Sequence, residues 1–240
     1  MALTDSLIFY LKADETSGAM VDVHGGMSFT ESSGTIGATT GKVGGGRDFE
    51  AGDTESVSRA IDSLLQCGDI DLTIQFWAKL ESTPSNGVAI SWGWSGVGST
   101  ARVMVLYWPS GTQVRMTLGV GTGNVDFPHN QTFNNGQWYR CLFEHDSVGN
   151  TTTILIDNGT PTVAAHTTGM NVGSGTLDIG ASPSQALYFD GVLDEIAFWK
   201  RKLTADEKLQ LWNGGNGVSY QDILLPVGNP RIGLGIGIGI

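Results

Sequence analysis

Basic residues are scarce in this sequence, and they do not cluster. The 240 residues include 13 Lys and Arg against 24 Asp and Glu, so the formal net charge is −11. The longest basic run is Lys200-Arg201-Lys202. Because nucleic-acid binding depends on a basic face that releases counterions from phosphates, we expect no nucleic-acid partner.

A secretory leader and a long apolar run are also missing. The opening residues lack the basic region and apolar core of a signal peptide. No apolar run approaches the roughly 20 residues that span a bilayer. We therefore expect synthesis in the cytoplasm and no membrane partner. The two cysteines, Cys67 and Cys141, are expected to stay reduced.

Glycine and short alternating segments are abundant instead. The chain has 35 Gly and only 15% charged residues, which is typical of many tight turns between short strands. In residues 71–80, apolar side chains alternate with Thr73, Gln75, Trp77 and Lys79, as expected for a strand with one buried face. Several such strands without intervening helices predict a sandwich or a barrel.

One short helix is predicted near the C-terminus. Thr204 and Glu207 fit a capping box, in which each side chain caps the other residue's amide. Leu209 and Trp212 are three positions apart and should form the buried stripe of the helix.

The end of the chain has a different composition, so we divide the chain into a β-sandwich domain, residues 1–222, and an extended Gly/Ile-rich tail, residues 223–240. Alternating glycine and aliphatic residues cannot form a core of their own. The tail is either a disordered low-complexity segment or a docking strand that pairs with a partner's sheet edge. In the second interpretation the assembly residues are Ile232, Leu234, Ile236, Ile238 and Ile240.

Several segments resemble a known family. Residues 189–204, FDGVLDEIAFWKRKLT, resemble the closing strand and helix entry of laminin-G-like (pentraxin-like) domains. Residues 71–78, DLTIQFWA, and 136–139, GQWY, resemble two further strand motifs in family order. The resemblance implies an all-β fold of the concanavalin A-like superfamily: a two-sheet antiparallel jelly-roll sandwich with a short C-terminal helix.

The resemblance also suggests where such a protein works. The opening MALTDSL is similar to laminin-G-like domains of tailed-phage virion proteins. Our leading hypothesis is a non-enzymatic virion structural, decoration or adhesion protein, anchored through its tail to other virion proteins and to its own copies. It would contact cell-surface glycans with its sandwich. The alternative is a lectin-like carbohydrate-binding module of a secreted or surface protein.

Hydrolysis of β-glucans is the enzymatic activity implied by this superfamily. It needs paired carboxylates on one strand face, and the E-x-D-x-E motif is not present. Asp194 and Glu195 are adjacent and should point to opposite faces of their strand. The histidines are scattered along the chain: His24, His129, His145 and His166. We therefore expect no catalytic activity.

A calcium site is implied by the resemblance, because the opening and closing strands of such domains pair. Asp22 and Asp194 would then meet, with backbone carbonyls near Gly41 completing an oxygen shell. The alternative is that Asp22 caps a turn and Asp194 accepts backbone amides.

Aromatic residues suggest a sugar platform, since exposed rings offer flat apolar faces. The candidate residues are Trp92, Trp94, Tyr107 and Trp108. The alternative, slightly favoured, is that Trp92 belongs to the core and Trp94 packs over an edge or a subunit contact.

Overall fold

A computed structural model of the protein describes residues 2–83, 85–93, 104–120, 123–167, 169–171, 174–182 and 186–225. In chain order the strands are β1 (Leu7–Leu11), β2 (Met20–Val21), β3 (Ser28–Ser33), β4 (Gly37–Thr40), β5 (Gly45–Phe49), β6 (Ser56–Ala60), β7 (Leu72–Leu80), β8 (Gly87–Trp92), β9 (Met104–Ser110), β10 (Gln113–Val120), β11 (Gly123–Asn130), β12 (Trp138–Asp146), β13 (Thr151–Ile156), β14 (Thr162–Ala165), β15 (Thr176–Ile179), β16 (Ala181–Ser182), β17 (Leu187–Tyr188) and β18 (Gly191–Trp199). The helices are α1 (Ala205–Trp212) and α2 (Tyr220–Ile223), with 3-10 turns at Ala51–Asp53 and Asn213–Gly215.

The strands form two large antiparallel sheets. The first sheet has the order β14-β13-β12-β7-β18-β5-β4, and β1 pairs with the second half of β18. The second sheet has the order β11-β10-β9-β8-β15-β6-β3-β2. The predicted two-sheet antiparallel sandwich is confirmed, and so is the pairing of the opening strand β1 with the closing strand β18.

Strand β7 shows how the core forms and where the alternation misleads. Its apolar residues are buried against the second sheet, as predicted. The intervening Thr73, Gln75 and Trp77 are also at most 1% exposed. The reason is a second layer on the outer face of the first sheet, so β7 is covered on both sides.

That layer is the C-terminal cap, residues 200–225. Trp212 stacks on Trp77 with ring centroids 5.6 Å apart, and Leu211 is buried in a cluster on the outer face of the sheet. The capping box between Thr204 and Glu207 is confirmed. Of the predicted buried stripe, Trp212 does pack on the sheet, but Leu209 is exposed, because Glu207 and Leu211, four positions apart, form the buried face of α1.

Cys67 and Cys141 are free and buried in the core. No helix within the described ranges is long and apolar enough to cross a membrane. The proposed assembly residues of the tail, Ile232, Leu234, Ile236, Ile238 and Ile240, lie outside the described residues. The docking role of the tail therefore stays a prediction.

Candidate functional site

The predicted aromatic platform does not form on the surface. Trp92 and Trp108 are fully buried, and Nε1 of Trp92 donates to the carbonyl of Leu65 at 3.2 Å. Both rings point into the core because they lie on the inward faces of β8 and β9. The slightly favoured alternative, that Trp92 belongs to the core, is therefore confirmed, and the assignment of Trp92 and Trp108 to sugar binding was wrong. Trp94 lies outside the described residues. Tyr107 is half-buried beside Leu187 on the outside of the sandwich.

A pocket does open at one end of the sandwich, close to Tyr107. This rim pocket has a volume of about 210 Å³, below the roughly 300–1,000 Å³ of pockets for drug-sized ligands. Its lining residues are Ala51, Leu80, Ser82, Thr83, Ser85, Gly87, Tyr188, Phe189 and Asp190. The size suits one small polar ring better than a long ligand.

The rim pocket combines an aromatic ring with polar groups. Tyr188 is half-buried, while Ser82, Thr83 and Ser85 expose their hydroxyls. The carboxylate of Asp190 is held in place because the Ala51 amide donates to its Oδ1 at 3.3 Å. Hydroxyls and a carboxylate beside an aromatic face are the groups that bind a ligand rich in hydroxyls.

A group of carboxylates borders this pocket. Oxygen atoms of Asp48, Glu50 and Glu81, here called the rim acidic group, lie within 4.8 Å of one another and could hold an ion. Desolvation and then the charge of Asp48 raise the pKa of both Glu50 and Glu81, and Asp190 contributes to each shift. The group thus concentrates negative charge at the pocket edge.

The sheet register brings these residues together, and the sequence alone did not suggest it. Gly191 at the start of β18 lies opposite both Phe49, the end of β5, and Leu80, the end of β7. The next residues of β5 and β7 are Glu50 and Glu81. The closeness of these carboxylates therefore follows only from the pairing of three strands that lie far apart in the sequence.

The predicted calcium ligand Asp22 has a different role. Its Oδ1 accepts the amides of Tyr10 and His24, and its Oδ2 accepts the amides of Gly25 and Met27. Each oxygen accepts two backbone amide hydrogens, so the lone pairs that would bind a cation are already used. Asp22 therefore caps a turn, as the alternative interpretation of the sequence expected, and its assignment as a metal ligand was wrong.

Asp194 lies at a bulge in β18, where the register shifts between Asp194 and Ala197. Leu193 and Ile196 both face the core, which leaves Asp194 and Glu195 together on the outer face. The expectation that they point to opposite faces was wrong, because a bulge adds one residue to the alternation. Asp194 Oδ2 accepts the amides of Lys42 and Val43 at 2.6 and 2.9 Å.

Burial dominates the electrostatics of this pair. It raises the pKa of Asp194 to about 7 and that of Glu195 to about 9. In Glu195 the neighbouring charge of Asp194 is the second cause.

Two of the four histidines meet inside the sandwich, although they seemed scattered in the sequence. Nε2 of His145 lies 3.0 Å from Oδ1 of Asp69, and Nε2 of His166 lies 3.3 Å from Nδ1 of His145. This chain of hydrogen bonds closes one end of the core.

Comparisons with known proteins agree with this architecture. The family model of the concanavalin A-like lectin/glucanases superfamily, of laminin-G type, matches residues 50–207, more than half of the chain. Comparison with curated proteins gave no match. The fold and the family match together define a lectin-like β-sandwich. The chain belongs to the concanavalin A-like lectin/glucanases superfamily.

Solved structures with a similar fold include two toxin binding domains and one domain of an arabinanase. The binding domain of Paraclostridial Mosquitocidal Protein 1 has a TM-score of 0.67 at 14% identity, covering 88% of this chain and 52% of that one. The binding domain of botulinum neurotoxin serotype G has a TM-score of 0.67 at 13% identity, covering 87% and 51%. Domain 4 of AbnA, an extracellular arabinanase from Geobacillus stearothermophilus in complex with arabinotriose, has a TM-score of 0.63 at 15% identity, covering 85% and 96%.

The chain spans about half the length of the two toxin binding domains. At such identities the likeness shows the fold alone.

Proposed function

We propose that this domain is a non-catalytic carbohydrate-binding module that attaches a larger assembly to a glycan surface. The rim pocket carries the proposal, because Tyr188, three hydroxyl side chains and a fixed Asp190 carboxylate converge there. The arabinotriose complex of a structurally similar domain supports a saccharide as the ligand class. Tyr107, half-buried beside Leu187, would extend the contact surface along β9.

The test is glycan binding by the purified domain, first on an array and then by calorimetry. We expect Tyr188→Ala to weaken binding about tenfold, because the stacking face is lost. Tyr188→Phe is the matched control, since it keeps the ring and removes only the hydroxyl. Equal affinity of the wild type and Tyr188→Ala for every bound glycan would refute the rim pocket as the site.

Hydrolysis is the second candidate function, because the carboxylates of the rim acidic group lie within 4.8 Å of one another beside the pocket. Retaining glycosidases place two carboxyl groups about 5–5.5 Å apart across the scissile bond. Here Glu50 and Glu81 are both exposed and do not line the pocket, so a sugar in the pocket would contact Asp190 on one side only. This arrangement favours glycan binding over hydrolysis.

Reducing-sugar release from the glycans that bind is the measurement that separates the two functions. We expect none from the wild type. Turnover that disappears in both Glu50→Gln and Glu81→Gln, with binding retained, would replace the binding module by a hydrolase.

We propose, further, that the larger assembly is a virion and that the tail anchors the domain to it. The support is the similarity of the opening segment to virion proteins and the alternating Gly/Ile composition of residues 232–240. Deleting residues 226–240 should abolish incorporation into particles while leaving glycan binding intact. Unchanged incorporation would eliminate the anchor role.

A further inference from the structure

The rim pocket is surrounded by carboxylates that lack a counter-ion. Asp190 lines the pocket, and the rim acidic group lies at its edge. Within the described part of the chain, no Lys, Arg or His forms an ion pair with any of these four residues. The mouth of the pocket therefore carries negative charge that these parts of the protein do not neutralise.

The chain holds the rim acidic group close to the pocket. Glu50 immediately precedes Ala51, which is a lining residue, and Glu81 lies between two further lining residues. The amide of Glu81 also donates to the carbonyl of Asp190 at 3.2 Å. Desolvation and then the charge of Asp48 raise the pKa of both glutamates, and Asp190 adds to each shift. Carboxylates that repel one another in this way will also act together on a charged ligand in the pocket.

A lysine near this end of the sandwich does not serve as the missing counter-ion. The charge of Lys79 opposes the rise in the pKa of Glu81 that desolvation and Asp48 cause, but it does not cancel that rise. The Lys79 ammonium lies 5.5 Å from the centroid of the Trp138 ring, and neither residue lines the pocket. Lys79 is thus a surface cation beside the rim, and the pocket itself remains acidic.

An aromatic ring and a carboxylate lie two positions apart in the lining. Tyr188 is half-buried and lines the pocket together with Asp190. Oδ1 of Asp190 accepts the Ala51 amide at 3.3 Å, and none of the described donors reaches its Oδ2. The face of a tyrosine ring attracts a cation within about 6 Å of its centroid, and a carboxylate attracts the same cation by its charge. Together these groups favour a ligand with an ammonium group.

The remaining properties of the pocket narrow the class of ligand. Its volume of about 210 Å³ accommodates one small ring, and Ser82, Thr83 and Ser85 line it with exposed side chains. Three hydroxyl groups are partners for the hydroxyls of a sugar, whereas the lysine side chain of a partner protein would leave them unused. An anionic sugar would be repelled by the surrounding carboxylates.

We propose that the rim pocket selects glycans with free amino groups, of the 2-amino-2-deoxy-sugar class, over neutral and anionic glycans. This inference rests on the proposed glycan-binding function and adds the ligand class to it. The ammonium group would contact the Tyr188 ring and the Asp190 carboxylate, while the three hydroxyl side chains contact the sugar hydroxyls. The rim acidic group would attract the cation and repel sugars that carry a carboxylate or a sulfate.

The test compares two chemical forms of one glycan by calorimetry with the purified full chain. Glucosamine oligomers carry free amines, and their N-acetylated counterparts of equal length have the same sugar ring without the charge. We expect the free-amine form to bind about tenfold more tightly at low salt. Added salt should reduce this preference, because charges near solvent are screened beyond about 8 Å at roughly 0.15 M salt.

Asp190→Asn separates charge from shape at this position. The amide side chain keeps an oxygen that can accept the Ala51 N–H, but it has no negative charge. It should weaken binding of the free-amine form more than that of the N-acetylated form, so the preference should fall to about threefold or less. Asp206→Asn, the same change at an exposed position in the first turn of α1, is the matched control and should keep the full preference.

The outcomes separate the ligand class from the proposed function. Equal or tighter binding of the N-acetylated form, still weakened by Tyr188→Ala, would overturn the amino-sugar class and leave the carbohydrate-binding module in place. A preference that Asp190→Asn keeps would also overturn it, and so would a lysine tripeptide that binds as tightly as the free-amine glycan. No binding of any glycan would instead refute the proposed function itself.

Discussion

The outer faces of the two sheets differ in what covers them. On the first sheet, the C-terminal cap packs Trp212 on Trp77 and covers the outward-facing Ala197 and Trp199 of β18, so that all nine residues of this strand are buried. On the outer face of the second sheet, Arg115 and Asp126 form an ion pair that remains in contact with solvent. The same strand alternation therefore leads to two environments, and the difference comes from a segment far away in the sequence.

The largest effect should come from cutting a large side chain out of the covered face. Trp199 is fully buried there, and its Nε1 donates to the carbonyl of Leu3 at 2.6 Å. We expect Trp199→Ala to lower the free energy of unfolding by about 3–5 kcal/mol, because it leaves a cavity between sheet and cap. Urea denaturation measures this. A loss below about 1 kcal/mol, the size of an average substitution, would show that the cap packs loosely.

A smaller loss should follow from removing the buried Arg140 guanidinium, which links the covered face to the cap. Arg140 donates to the carbonyls of Lys208 and Asp157, both at 2.5 Å, and burial lowers its pKa to about 10. Arg140→Met keeps most of the apolar length but removes both of these charged hydrogen bonds, so we expect a loss of about 1–3 kcal/mol.

Arg140→Lys is the control for charge alone. Since lysine cannot reproduce the two-pronged geometry, it should recover only part of the stability. Full recovery would mean that charge, and not the pair of hydrogen bonds, matters at this position.

The difference between the outer faces of the two sheets explains which features of the fold could be predicted from the sequence. The strands of the core, the antiparallel sandwich and the capping box of Thr204 and Glu207 follow from local patterns and from the family motifs, and they are confirmed. The burial of Gln75 and Trp77 does not follow, because period two says which residues share a face and not what covers that face. Leu209 was wrongly predicted to be buried for the same reason, because its exposure depends on how α1 packs against the first sheet.

The candidate site could not be predicted from the sequence for a related reason. Trp92 and Trp108 were candidates for a surface platform, although a core position was slightly favoured for Trp92, and the inward faces of β8 and β9 place both in the core. The rim pocket and the rim acidic group arise where β5, β7 and β18 end together, which requires the strand order. The bulge at Glu195 reversed the predicted direction of one carboxylate, and no local pattern marked it.

A third prediction tests how firmly the cap is held at its start. The Thr204 hydroxyl accepts the amide of Glu207 at 3.3 Å, and Glu207 accepts the amide of Thr204 at 2.8 Å. We expect Thr204→Ala to lower the free energy of unfolding by about 1 kcal/mol. Thr204→Ser should restore it, as measured by the same urea titrations. A Ser variant as unstable as the Ala variant would assign the loss to packing of the threonine methyl group.

The smallest effect belongs to the uncovered face and completes the comparison. Arg115 Nη1 lies 3.2 Å from Oδ2 of Asp126, but both side chains remain partly hydrated. Exposed ion pairs contribute about 0–1 kcal/mol, so Arg115→Ala should change the free energy of unfolding by less than about 0.5 kcal/mol. Urea denaturation at low and high salt measures both the change and its screening. A loss of several kcal/mol, as large as that of Trp199→Ala, would mean that this face is also covered, by a part of the assembly outside the described residues.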